Sequence, residues 1–388
     1  MPDPAALPGH EQVAALHCQA LDAYREGQYA TMERLLEQAV AIAAGLDDLP
    51  LLVQEHYWLA SAQRMQGQHQ AALATYVWLI GLASTPATSR QLADTASLKC
   101  LVGAFIFFVD CGRFLPEMPV ARLLEVVREG LAWLEQVGQP TWGAGLRLAR
   151  GILLQGRQDW AGARREMEAA LAMRRRDPAA PGPTLAAHLL QLAGLLNAEE
   201  VADYTTAAQL ADEAWTVAHG PYARGWVCEE LVNARLGQGD PAGAAAAAQE
   251  ALAQARATES PSAMATAYKG LGRVYQAQER AGEAAVAAAQ QWIWAHRDGC
   301  VEYRCMALVA GMRVRLLQAR LALRGPATDQ RAAAARRLRG AQRFLQQAEP
   351  LTAQLDQASG THGERDRLAQ LQQEHAALAA QLREGAKR

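Results

Sequence analysis

Along most of this chain, small and large apolar residues recur every three to four positions, the spacing that gathers them on one face of an α-helix. Period-two alternation, which a half-buried strand requires, does not occur. One pattern returns six times. A turn containing Gly or a polar residue comes first, then an aromatic or small residue. A further small residue follows three positions on, with more small or apolar positions four and seven later. The copies are GQYATMERLLEQA (27–39), GQHQAALATYVWL (67–79), QDWAGARREMEAA (158–170), DYTTAAQLADEA (203–214), GDPAGAAAAAQEA (239–251) and ERAGEAAVAAAQQ (279–291). The key position is Met32, Ala72, Ala163, Ala207, Ala244 and Ala284, at intervals of 40, 91, 44, 37 and 40. The gap of 91 predicts one degenerate repeat within 85–135. A second helix precedes each turn, as in HYWLASAQRMQ (56–66), ARLG (234–237) and AYKGLGRVYQAQ (267–278). The chain is therefore predicted to be nearly all helix, in eight or so antiparallel pairs. Small residues let paired helices approach, and larger apolar ones stack each pair on the next.

Leu271, Gly272 and Tyr275, followed by Ala284 and Ala288, stand at the spacing of the tetratricopeptide (TPR) signature. On these residues the chain resembles the TPR family over roughly 13–348. Its period near 40 exceeds the usual value of about 34. In this it is similar to the TPR regions of bacterial signalling proteins, such as large ATP-dependent transcription activators and peptide pheromone receptors. The resemblance implies an all-α, right-handed superhelical solenoid with a protein or peptide partner in its concave groove. The expected organisation is an N-terminal tail (1–12), the repeat array (13–348) and a C-terminal helix (349–388). Ser84-Thr85-Pro86, residues 177–183, Gly325-Pro326 and the stretch from Gly360 to Gly363 interrupt helices. In the last helix Leu368, Leu371, His375, Leu378 and Leu382 follow heptad spacing. That seam predicts either a cap on the final repeat or pairing with a second copy.

Charge adds a polarity. The net charge is −2, giving no global pull toward nucleic acid or membrane. Yet residues 1–60 hold nine acids against two arginines, while 303–348 hold ten arginines and one acid, Asp329. Contact between these oppositely charged ends is a second route to a homo-oligomer. The six cysteines have no C-x-x-C spacing, which predicts free, mostly buried thiols in a reducing, cytoplasmic setting. The opening MPDPAALPGH lacks the basic and apolar regions of a signal peptide. The apolar run Leu101–Val109 is far short of the ~20 residues of a membrane span.

Catalytic motifs are missing: there is no phosphate-binding loop, nucleophile elbow or H-E-x-x-H run. Histidines stand singly, His17-Cys18 diverge on a helix, and pairs such as Glu199-Glu200 and Glu229-Glu230 read as solvated helix ends or faces. No catalytic residue, metal or cofactor is expected, and the chain reads as a binding protein. The run Phe105-Ile106-Phe107-Phe108 reads either as a heavily packed repeat core or as an apolar anchor pocket.

Registering the repeats on their turns, the family's inward positions are Tyr57, Ser61 and Arg64, then Glu229 and Asn233, then Lys269, Arg273 and Gln276. Lys269 and Arg273 are four apart and share a helix face. With Asn233 one repeat earlier they suit a carboxylate or an acidic peptide. In TPR domains that bind chaperone tails, Lys, Arg and Asn clamp a terminal carboxylate. This chain has those residue types without the full arrangement over three repeats. A second surface is basic: Arg313, Arg320 and Arg324, then Arg336, Arg337, Arg339 and Arg343. It reads as a solvated face, a dock for an acidic protein, or a contact for nucleic-acid phosphate. With only Tyr303 and Phe344 nearby, it is no single-strand stacking platform. The function expected is an interaction scaffold or sensor that binds a protein or peptide in the groove, and the alternatives are a nucleic-acid-associated regulator using the Arg-rich 303–348 segment or a regulator that senses a small ligand or peptide.

Overall fold

A computed structural model describes residues 8–387 except 26–27, 86–87, 89–90, 93, 114, 116, 178–181, 259, 299–300, 325–327 and 360–362. Among the described residues there are seventeen α-helices and no strand. They are α1 (Gly9–Arg25), α2 (Tyr29–Ala43), α3 (Leu49–Met65), α4 (His69–Ala83), α5 (Thr95–Gly112), α6 (Val120–Gln136), α7 (Ala144–Gly156), α8 (Trp160–Arg176) and α9 (Gly182–Leu196). The remainder are α10 (Tyr204–Val217), α11 (Gly220–Gly237), α12 (Pro241–Thr258), α13 (Pro261–Ala277), α14 (Ala281–Asp298), α15 (Val301–Leu323), α16 (Thr328–Ser359) and α17 (Gly363–Lys387). The chain forms two compact units that divide at Leu153–Leu154, inside α7.

The repeat register read from sequence holds side chain by side chain. Met32, Ala72, Ala163, Ala207, Ala244 and Ala284 are all buried, each at the fourth position of the second helix of a pair. The turn before that helix recurs as well. Gly67, Gln158, Ala202, Gly239 and Glu279 all have positive φ. A residue in that left-handed conformation ends one helix and redirects the chain into the next. Asp159, Asp203 and Asp240 follow it and accept hydrogen bonds from the amides of Gly162, Thr206 and Gly243. A glutamine ties each pair to the one before. The side-chain amides of Gln66, Gln238 and Gln278 donate to the carbonyls of Tyr29, Tyr204 and Pro241, each the first residue of the preceding second helix.

The predicted degenerate repeat is a complete pair, α5 and α6. Its fourth position is Leu123, fully buried, where the other copies carry Met or Ala. The small residue has moved to the facing helix: a Cβ on Gly112 would lie 2.5 Å from the Leu123 Cδ2. Exchange of large and small residues across one contact preserves the helix approach and hides the repeat from a search for Ala.

In the first unit the core is built on Tyr76, Leu79, Leu101, Phe105, Phe108 and Leu123. The phenylalanine run belongs to it: Phe105 and Phe108 are buried and Phe105 stacks on Trp133. Helix α5, at 18 residues and mean hydropathy 1.5, is long and apolar enough to cross a membrane by composition, which the shorter run Leu101–Val109 did not reveal. It is mostly buried among α3, α4 and α6, and Asp110 on it pairs with Arg64 and Arg113. That environment is the one of a core helix.

The second unit relies on smaller residues, with Val232, Ala244, Ala248, Leu271, Val274 and Ala287 forming one cluster. At its end Leu368, Leu371 and Leu378 of α17 are buried against Leu308, Met312 and Leu316 of α15 and Leu338, Ala341 and Leu345 of α16. The His375 Nε2 lies 3.1 Å from the Leu338 carbonyl. The leucine seam is thus consumed within the chain, as a cap does, and is not left open for pairing.

Two expected boundaries shift. Helix α1 begins at Gly9 inside the expected tail, where the Gln12 amide already donates to the Pro8 carbonyl. The 348/349 boundary falls inside α16, which continues through Pro350 to Ser359. Of the expected interruptions, Pro86, residues 178–181, Gly325-Pro326 and 360–362 lie outside the described residues. Among the described cysteines Cys18 is exposed and Cys100, Cys111, Cys228 and Cys305 are buried and free, while Cys300 lies outside them.

Candidate functional site

The eight groove positions fall into two groups, one in each unit. Tyr57, Ser61 and Arg64 lie on α3 and face α5. The Ser61 hydroxyl donates to the Tyr57 carbonyl at 2.9 Å. The Tyr57 ring stacks on Phe107, and burial pushes its phenol up to about 12. Arg64 lies over the Phe107 ring at 4.3 Å and donates to Asp110 at 3.1 Å. This trio is engaged in packing α3 on α5, with the Arg64 charge already balanced.

The second group forms a polar network across the first helices of successive pairs. Glu229 and Asn233 on α11 meet Lys269 and Arg273 on α13, one repeat later. Lys269 forms an ion pair with Glu229, and its Nζ lies 3.9 Å from the Met306 sulfur on α15. Arg273 donates to the Asn233 side-chain oxygen. Asn233 and Arg273 are 40 residues apart, one repeat interval, so equal register places them side by side. Gln276 sits one turn further along α13, half-buried.

Two members of this network escaped sequence reasoning. Glu230 is drawn inward, where its carboxylate accepts from Asn197 at 2.8 Å and Asn233 at 3.4 Å. Asn197, just past α9, also donates to the Glu230 carbonyl at 3.1 Å. The expectation that Glu229-Glu230 form a solvated face is corrected: Glu229 is paired, and Glu230 is half-buried and hydrogen-bonded to two asparagines. The available signal was the interval of 36 from Asn197 to Asn233, close to the repeat period. Burial, with the neighbouring Glu229 charge, pushes the Glu230 carboxyl up to about 7, against the lowering from Asn197, Asn233 and Lys269.

Because folded Glu230 holds its proton more tightly than the unfolded chain, its contribution to stability is complete below about 4.5 and is lost as pH rises through about 7. Glu230→Gln keeps the side-chain shape without the ionisation. The expected result is a melting temperature that falls less between pH 5 and pH 8 than in the unchanged protein, read by circular dichroism. Equal slopes for both proteins would exclude the Glu230 carboxyl as the source.

The basic positions also separate. Arg320 pairs with Glu374 on α17 and Arg324 with Glu279. Arg313 is half-buried on α15, while Arg336, Arg337, Arg339 and Arg343 are exposed on α16. Among the described residues no group of three His, Cys, Asp or Glu side chains could hold a metal ion.

No family model matches the chain, and no curated protein is detectably similar in sequence. Solved structures do match. Aspartyl phosphate phosphatase F from Bacillus subtilis aligns at a TM-score of 0.51 and 13% identity, over 96% of this chain and 93% of that one. The apo form of RapI aligns at 0.51 and 11%, over 78% and 99%. A tetratricopeptide repeat protein from Parabacteroides merdae aligns at 0.46 and 15%, over 76% and 98%. At such identities the likeness is one of fold: the chain is an all-α helical repeat protein of the TPR type.

Proposed function

We propose that this chain is a protein-interaction module whose working surface in the second unit is the line of first helices α9, α11 and α13. It binds a carboxylate-bearing protein or peptide segment there. The observation that carries this reading is the accessible pair Lys269–Glu229, whose side chains are 25% and 21% exposed. An ion pair of that kind contributes only about 0–1 kcal/mol, so an incoming carboxylate can take the place of Glu229 on Lys269 at little cost. The Asn197–Glu230–Asn233–Arg273 network beside it is held by its own hydrogen bonds and serves as a fixed support. Met306 adds a soft apolar contact beside the cation.

A photo-crosslinking amino acid in place of Gln276 tests the surface in cells. It is expected to capture a discrete partner that the same probe at Val286, exposed on α14, does not. Lys269→Ala with Arg273→Ala should lower capture by tenfold or more while the helical spectrum is unchanged. Equal capture at both probe positions, or capture indifferent to the double substitution, would reject this face as the working surface.

A further inference from the structure

Helix α16 carries a row of arginines that the fold does not neutralise. Its buried side is Ala334, Leu338, Ala341, Leu345 and Ala348. At 100° per residue, Arg336, Arg339 and Arg343 point directly away from that side, in a single outward row. All three are exposed, and no acidic side chain pairs with them among the described residues. This contrasts with Arg320 and Arg324, each matched to a glutamate. On the flank toward α15, burial lowers the Arg315 pKa, and repulsion from the like charge of Arg337 adds to it. The Arg315 side chain packs near Gly340, 3.5 Å from where a Cβ would stand. Arg337 and Arg315 therefore lie beside the α15 seam, about 100° or more round the helix from the outward row, and are not part of it.

The rest of that surface narrows the partner. Its other exposed residues include Ala332, Gln346 and Gln347, and a single acid, Asp329, stands two turns before Arg336 at the start of the helix. Among the described residues the exposed large hydrophobics, Tyr24, Met65, Val77, Trp78, Trp226, Val286 and Ile293, all lie elsewhere. A protein interface of useful strength is anchored by buried apolar or aromatic side chains, which this face does not offer. Single-stranded nucleic acid calls for aromatic platforms, equally missing here. Guanidinium groups alone suffice for phosphate oxygens, which they can grip in pairs of hydrogen bonds. The row from Arg336 to Arg343 rises about 10 Å along the helix axis. Over that distance one strand of a duplex carries about three phosphates, at one per 3.4 Å.

We propose that the outer face of α16 binds the phosphate backbone of double-stranded nucleic acid without reading its sequence. Arg336, Arg339 and Arg343 make the contacts. The N-terminal acids are a poorer match for this face than their number suggests. Glu55 is buried against His17, Asp48 caps α3 and pairs with His10, and Glu33 accepts from Gln66 and Gln68.

The test is fluorescence anisotropy of the full chain with a labelled mixed-sequence DNA duplex, titrated with salt. A single strand of the same length and a poly-glutamate peptide serve as competitors. Binding is expected at low salt, with a log–log slope of about −3 for three phosphate contacts. It should be similar for unrelated duplex sequences, and the peptide should compete less well than unlabelled duplex. R336Q/R339Q/R343Q should remove most of the slope and weaken binding at least tenfold. R34Q/R128Q/R256Q, an equal change of charge elsewhere, should leave both nearly unchanged. Helical spectra of both variants verify folding, and R339Q alone, losing about one unit of slope, reports if the triple variant misfolds. Failure of the duplex to bind in low salt overturns the proposal. So does a slope indifferent to the α16 substitutions, or tighter binding of the peptide or the single strand than of the duplex.

Discussion

Leu123→Ala is expected to destabilise the first unit by about 2–5 kcal/mol, the range for emptying a buried leucine site. Leu123 is fully buried at the position where the other repeats carry Met or Ala. The reverse change, Gly112→Ala, is expected to cost about 1–3 kcal/mol by overpacking. Its new methyl would meet the Leu123 Cδ2 at 2.5 Å and the Met118 Cγ at 3.2 Å, and a side chain with no solvent exposure has little room to withdraw. Part of that cost is offset by alanine's better helix propensity, worth about 1 kcal/mol. Made together, the two changes place alanine on both sides of the contact, with the fourth position of the second helix small as in the neighbouring repeats. The pair should then cost less than the two single losses combined, by about 1 kcal/mol or more. Thermal and urea unfolding followed at buried Trp133 measure all three variants. Simple additivity would mean that Leu123 and Gly112 are not a compensating pair.

His17→Ala is the second change with a large expected effect, a loss of about 3–5 kcal/mol. Glu55 is 1% exposed, and its two carboxylate oxygens lie 2.9 and 3.1 Å from the His17 Nδ1. The imidazole packs edge-on against Trp58. Removing the ring leaves a buried carboxylate without this hydrogen-bond partner, and an unpartnered buried polar group is costly. Glu55→Gln added to His17→Ala removes the charge and should recover part of the loss. The melting temperatures of the three proteins decide the matter. A single variant within 1 kcal/mol of the parent would show that the carboxyl does not depend on the histidine.

Much of the array was legible because its signals are local. The turn, the small fourth residue and the following apolar positions lie within about a dozen residues, so periodicity alone registered six second helices on buried side chains. Glu55 and Glu230 show where local reading stops. Glu230 reads as part of a solvated face and Glu55 only as one of nine N-terminal acids, since nothing in the helix of either distinguishes a solvated carboxylate from one with partners in the fold. Their partners, His17 and Asn197, lie 38 and 33 residues away. The α5–α6 pair was obscured for a related reason. A contact needs one small residue on either side, and sequence does not say which side will carry it.

The sequence by itself determined the helical class, the repeat interval and the side of each second helix that is buried, because these follow from spacing along one helix and the volume of its residues. It also brought Asn233 and Arg273 to equal register, since their separation equals the period. Tertiary structure alone decided which charges are already satisfied. Lys269 is balanced by Glu229, Arg320 by Glu374 and Arg64 by Asp110, whereas Arg336, Arg339 and Arg343 have no acidic partner among the described residues. It also decided that the leucines of α17 close the chain's own core. Pairing of charges and the covering of a seam depend on which helices become neighbours in space, and a spacing measured along one helix carries no term for that.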